Sequence, residues 1–187
     1  AASAVSLDAR IASSIVADVV IDGFETLNLS DYANTLYGAD ETTNWTLSGT
    51  DSGRITSANV ALNFDHVAHL VGHNDQDTFT FTLAGTLTGS IDGGSHVADP
   101  MNDSIVINAD SSVANRFRLG IDMTEVGNTF TSIASIENIT ADTAATVNLI
   151  GDKLEQNIWQ LATNGTHNLN HGAVQQLSFS GIDLIEG

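Results

Sequence analysis

The amino-acid sequence predicts an all-β fold: a parallel β-solenoid of β-helix or β-roll character, built from a repeat of about 114 residues, with a tandem β-sandwich as the alternative. Three observations carry this expectation. The composition favours strands and turns over helices, with 17 Asp, 16 Asn, 16 Gly and 20 Thr against a single proline in 187 residues. Short bursts of apolar–polar alternation are separated by turn signals roughly every ten residues. Landmarks in the first half also recur in the second at a slowly drifting offset, as a duplication with small insertions leaves them.

Taken in order, residues 8–20 are the one stretch with a helical pattern, and a short helix is expected there. The step Gly23-Phe-Glu-Thr-Leu-Asn-Leu-Ser30 opens a first copy, and Thr35-Leu-Tyr-Gly38 continues it. Asn44-Trp-Thr-Leu47 alternates, so Trp45 and Leu47 share one face. Past the turn signal Gly49-Thr-Asp-Ser-Gly53, the copy closes with Leu62-Asn-Phe-Asp-His-Val-Ala-His-Leu-Val-Gly72. Alternating strands follow at Asp77-Thr-Phe-Thr-Phe-Thr-Leu83, Ser104-Ile-Val-Ile-Asn108 and Arg116-Phe-Arg-Leu-Gly120.

The second copy opens with Ser135-Ile-Glu-Asn-Ile-Thr140 and runs through Val147-Asn-Leu-Ile-Gly151 and Asn157-Ile-Trp-Gln-Leu161 to Gln176-Leu-Ser-Phe-Ser180. The offsets are 112 from Glu25 to Glu137, 113 from Gly38 to Gly151, 114 from Trp45 to Trp159 and 115 from Phe64 to Phe179. The chain therefore reads as a single elongated repeat domain over 1–187, with partial repeat 1–75 matching 114–187 and 76–113 between them. Phe79, Phe81, Leu83, Ile105, Ile107, Phe117, Leu119, Trp159, Leu161, Leu177 and Phe179 are the expected core. Equivalent placement of Trp45 and Trp159 favours indoles that fill the interior over indoles that stack on a sugar.

Charge and composition exclude several function classes. With 23 acidic and 5 basic residues the formal charge is −18, which repels a phosphate backbone and an anionic membrane surface. Apolar runs such as Ile105–Ile107 are far too short to enter a bilayer, and Ala1–Leu7 lacks the pattern of a secretory leader. No cysteine is present, which removes thiol catalysis, thiolate metal sites and disulfide staples.

Four features then point to a family. They are the Phe64-x-x-Val67-x-x-Leu70-x-Gly72 closing step, the Asp77-x-Phe79-x-Phe81 strand, the Gly89-x-Ile91-Asp92-Gly93-Gly94 turn and the Asn102-Asp-Ser-Ile-Val106 strand. Residues 64–107 resemble the degenerate repeat units of very large secreted bacterial surface proteins: RTX-type and haemagglutinin-like β-solenoids, including adhesins and S-layer proteins. The resemblance implies a non-enzymatic structural module, secreted to an extracellular cell surface. Its partners would be further copies or neighbouring repeats of the same protein, or a glycan or host surface. It also implies calcium. The RTX calcium nonapeptide Gly-Gly-x-Gly-x-Asp-x-apolar-x occurs here only in decayed form, as Gly72-His-Asn-Asp-Gln-Asp-Thr-Phe-Thr80 and as Gly93-Gly-Ser-His-Val-Ala-Asp99.

Calcium takes six to eight oxygen ligands. The turn aspartates Asp75, Asp77, Asp92, Asp99 and Asp103 are the candidate ligands, since stacked turns would bring them together. The bland reading is that aspartate sits in turns because it bonds its own backbone. The histidines His66, His69 and His73 crowd eight residues and are expected to face solvent. No nucleophile elbow, zinc-protease motif or phosphate loop is present, and no catalytic residue is assigned. Two other readings stay open. A carbohydrate-binding module would need Trp45 or Tyr37 exposed, and a calcium-dependent polysaccharide lyase would need Arg116 or Arg118 beside an aspartate cluster.

Overall fold

Where the sequence alternates, the chain forms a strand with one buried face. In a computed structural model of the protein, residues 6–13, 16–22, 26–29, 34–58, 61–95, 102–108, 115–120, 130–152, 157–171 and 175–186 are described. These residues hold nineteen strands and no helix. In chain order they are β1 (Ser6–Ser13), β2 (Val16–Asp22), β3 (Thr26–Asn28), β4 (Asn34–Tyr37), β5 (Thr43–Gly49), β6 (Ser52–Thr56) and β7 (Ala61–Asp65). There follow β8 (Val67–Val71), β9 (Asp77–Phe81), β10 (Ser90–Asp92), β11 (Ser104–Ile107), β12 (Asn115–Leu119) and β13 (Thr131–Ala134). The last are β14 (Asn138–Ala141), β15 (Val147–Ile150), β16 (Asn157–Gln160), β17 (His167–His171), β18 (Gln175–Ser180) and β19 (Leu184–Glu186).

The strands form two mixed sheets, neither closed into a barrel. One runs β19-β15-β12-β13-β10-β8-β4-β1-β2, and the other β16-β17-β18-β14-β11-β9-β5-β6-β7-β3. From β7 to β12 the chain passes from one sheet to the other at every connection, so it re-enters each sheet in the same direction. Parallel pairing results, with the opposite sheet serving as the crossover. The inward faces share one core. Phe81 of β9 meets Phe117 of β12 edge to face at 5.3 Å, and Trp45 stacks on Phe79 at 5.5 Å.

The pairing pattern occurs twice. In the first half β3 pairs parallel with β7, β4 with β8, and β5, β6 and β7 form an antiparallel meander. In the second half β14 pairs parallel with β18, β15 with β19, and β16, β17 and β18 form the same meander. Leu27 lies opposite Phe64 as Ile139 lies opposite Phe179, and Trp45 opposite Ile55 as Trp159 opposite Leu169.

Three sequence expectations are corrected. Of residues 8–20, where a helix is expected, 8–13 and 16–20 lie instead in β1 and β2, an antiparallel pair, and 14–15 lie outside the described residues. Ile11, Val16, Val19, Val20 and Ile21 are β-branched, and that preference outweighs a weak helical spacing. Leu161 is 67% exposed, because β16 ends at Gln160 and is the edge of its sheet. Leu83 is 57% exposed, because the alternation of β9 ends at Phe81 and the chain turns. Trp159 is partly buried, and the other eight expected core residues are buried.

The Leu83 turn makes a testable point. Its backbone has φ +47°, where a side chain is strained and glycine is not. Leu83→Gly should therefore raise stability by about 0.5–1 kcal/mol, read as a rise of roughly 1–4 °C in thermal midpoint. A fall of that size would mean that the exposed side chain packs usefully after all.

Candidate functional site

The parallel register lines up the starts of four strands. Thr43 is opposite Asp77, and the pairs Thr78–Ser104 and Ser104–Asn138 place Asp103 and Glu137 in the same row. This row crosses β5, β9, β11 and β14 at the corner where the chain enters the ten-stranded sheet. Each carboxylate caps its neighbour. The Asp77 N–H donates to Asp103 Oδ1 at 2.6 Å, and the Asp103 N–H donates to Glu137 Oε2 at 2.8 Å. The His73 N–H donates to Asp77 Oδ2 at 3.1 Å, and the Glu137 and Asn138 N–H groups both donate to the Asp103 carbonyl.

Glycine makes room for the row. A Cβ on Gly72 would run into Asp77 Oδ2 and the Gly93 carbonyl, and one on Gly93 into Asp103 Oδ2 and the Ser135 carbonyl. The two buried carboxyls thus occupy space that a side chain would otherwise fill. Asp77 and Asp103 are both fully buried. Burial pushes Asp103 up to about 8; the Asp77 N–H pulls it down, and the charges of Asp77, Glu137 and Asp92 push it further up. Burial likewise pushes Asp77 up to about 6, against the pull of the His73 N–H, Trp45 and Thr43. The Trp45 indole N–H favours the charged form of Asp77, although neither group completes a hydrogen bond with the other.

Of the five aspartates expected as calcium ligands, the fold brings Asp77 and Asp103 into direct contact through main chain and side chain. Asp92 is half-buried within electrostatic reach of Asp103, and its Oδ1 accepts the Gly94 N–H at 3.1 Å. Asp75 is half-buried, and Asp99 lies outside the described residues. Among the described residues, no three histidines or carboxylates form a metal-holding group. Other turn acids bond main chain as well: Asp51 accepts the Thr88 N–H and hydroxyl, and Asp183 the Val147 N–H.

Sequence reading missed Glu137, whose carboxylate completes the row. The signal was present, since Glu137 stands directly before an alternating strand as Asp77 and Asp103 do. His69 corrects the expectation of solvent-facing histidines. It is 1% exposed, with Nδ1 2.8 Å from Ser90 Oγ, because its strand is covered by β4 and β10 on both edges. His73 is half-exposed and bonds Asp40 at 2.8 Å.

The residues named for other chemistries are placed as follows. Trp45 is fully buried and Tyr37 half-buried. Arg116 reaches Glu186 at 3.4 Å, and Arg118 lies 4.2 Å over the Phe130 ring. One groove of about 460 Å³ is lined by Val106, Ile107, Asn108, Thr140, Ala141, Asp142 and Thr143. Its single carboxylate, Asp142, bonds the Ala144 N–H of its own turn. In comparisons with known proteins, the chain matches no family model, no curated protein and no solved structure.

Proposed function

We propose that this chain is a non-enzymatic structural repeat module of an extracellular bacterial surface assembly, such as an adhesin stalk, an S-layer lattice or a self-assembling filament. In this reading the two sheets are the walls of a parallel β-solenoid. The observation that carries it is the pairing pattern of β3 to β8, repeated strand for strand by β14 to β19 around one continuous core. Such modules act by length and by lateral contact, so their business is done by a stacked scaffold rather than by a cleft. Calcium belongs to the proposal as a stabilising cation. The charges of Asp77, Glu137 and Asp92 disfavour ionisation of Asp103, and a divalent ion beside it would offset them.

The test is thermal unfolding by circular dichroism in EDTA and in millimolar calcium, with both samples run through size exclusion. Calcium at a hundred times its dissociation constant should add about 2.7 kcal/mol, a rise of roughly 5–10 °C. Higher oligomers that appear with calcium would support a lattice or filament subunit. No shift would remove calcium from the proposal, and hydrolysis or cleavage of a polysaccharide by the purified chain would overturn the non-enzymatic reading.

A further inference from the structure

The two matched halves differ in one respect that bears on recognition. In the first, β5 and β8 are each covered on their outer edge by a parallel strand. β9 covers β5 with Asp77 opposite Thr43, Phe79 opposite Trp45 and Phe81 opposite Leu47. β10 covers β8 with Ser90 opposite His69, Ile91 opposite Leu70 and Asp92 opposite Val71. In the second half the counterparts of β5 and β8 are β16 and β19, and among the described residues both are sheet edges. The consequence shows residue by residue. Trp45 and Leu47 are fully buried, whereas their counterparts Trp159 and Leu161 are partly buried and 67% exposed. Ile158 and Leu184 on the same two strands are 49% and 47% exposed.

We infer that the paired edges of β16 and β19 are a recognition surface for a segment of the β9–β10 type: a strand of pattern Asp-x-aromatic-x-aromatic, followed after a turn by a short Gly-Ser-Ile-Asp-Gly strand. This rests on the repeat-module reading and names the partner of its open edge. β16 runs antiparallel to β17 as β5 does to β6, and β19 runs parallel to β15 as β8 does to β4, so a pair added parallel to each edge enters with the polarity that β9 and β10 already have. The register is dictated. The leading aspartate falls opposite Asn157, the first aromatic opposite Trp159 and the second opposite Leu161, while the isoleucine falls opposite Ile185. An aromatic at the first of these places stacks on indole, as Phe79 does on Trp45 at 5.5 Å and 16°. Glu186 would meet the aspartate of the second strand, and Arg116 at 3.4 Å offsets that charge.

The probe is a labelled peptide of residues His73–Ser95 added to the full chain, with binding read by anisotropy and its location by amide hydrogen exchange. The expected result is saturable 1:1 binding, with exchange slowed about tenfold or more at 157–160 and 184–186. A peptide carrying Phe79→Ala should bind about tenfold more weakly. Because a free peptide must order itself on binding, the same segment is also appended after Gly187, where its effective concentration is of order millimolar. Absence of protection at β16 and β19 in both formats overturns the inference, as does protection confined to β2 and β3. Failure here is distinguishable from failure of the module reading. Oligomers of the chain that the peptide does not compete away keep the module and remove this partner. A monomer that binds the peptide in register keeps the partner and removes self-assembly.

Discussion

Gly93→Ala is expected to lower stability by about 3–5 kcal/mol, enough to unfold much of the population of a marginally stable domain. The added methyl would lie well inside 3.0 Å of two atoms, the Ser135 carbonyl oxygen and Asp103 Oδ2. Neither can give way at low cost. The Ser135 residue follows directly on Ala134, whose carbonyl accepts the Gly93 N–H at 3.0 Å. The Asp103 carboxyl is fully buried and holds the Asp77 N–H. Overpacking costs about 1–3 kcal/mol, and a buried donor stripped of its acceptor costs about 1–3 more. Gly165→Ala is the control. Its φ of +83° is strained for alanine, as that of Gly93 is not, and nothing lies within 4 Å of the new methyl. That change should cost only about 1 kcal/mol. Urea midpoints of the two variants, at unchanged slope, separate the two mechanisms. Equal losses would show that the corner relaxes around the added methyl and that Gly93 is not required to make room for the carboxyl.

What was legible in the sequence follows what alternation can encode. Phe79, Phe81, Ile105, Ile107, Phe117 and Phe179 are buried where their period-2 spacing placed them, because one face of a strand must meet a core. The residue matches at drifting offsets became matched strand pairs, Leu27–Phe64 and Ile139–Phe179 among them. Strand ends were less legible. Leu83 and Leu161 continue the spacing of their strands, yet the chain turns before one and the sheet stops at the other. Over residues 8–20 the spacing points to a helix, but the Ile and Val that carry it are also good strand formers. The acid row needed the fold. Asp77, Asp103 and Glu137 are 26 and 34 residues apart, and only the register of three parallel strands puts them side by side. Glu25, the sequence counterpart of Glu137, lies outside the described residues.

Acidification is expected to stabilise this chain, and Asp103 to be the main reason. In the fold, burial holds its proton up to about 8 and that of Asp77 up to about 6, against an ordinary 3.8 for each. Between those limits the native state binds more protons than the unfolded chain, so stability falls as pH rises. The stabilisation from protonation is complete below about pH 4 and is lost as pH climbs through 6 and then 8. Each tenfold change in proton affinity is worth about 1.4 kcal/mol. With half of these displacements expressed, unfolding free energy should drop on the order of 2–3 kcal/mol between about pH 5 and about pH 9. Relief of the general −18 charge acts in the same direction, so substitutions must isolate the buried group. Asp103→Asn keeps an oxygen for the Asp77 N–H and removes the charge. It should flatten the pH dependence and stabilise the chain at about pH 9 by roughly 2 kcal/mol. Asp103→Ala removes the acceptor too and leaves a buried N–H unpaired, a loss of about 1–3 kcal/mol at acid pH. Urea midpoints across the pH range for the three chains decide the matter. Stability that rises from about pH 5 to about pH 9 would mean that Asp103 is charged in the fold and held there by a partner of opposite sign, in which case Asp103→Asn would destabilise at high pH instead.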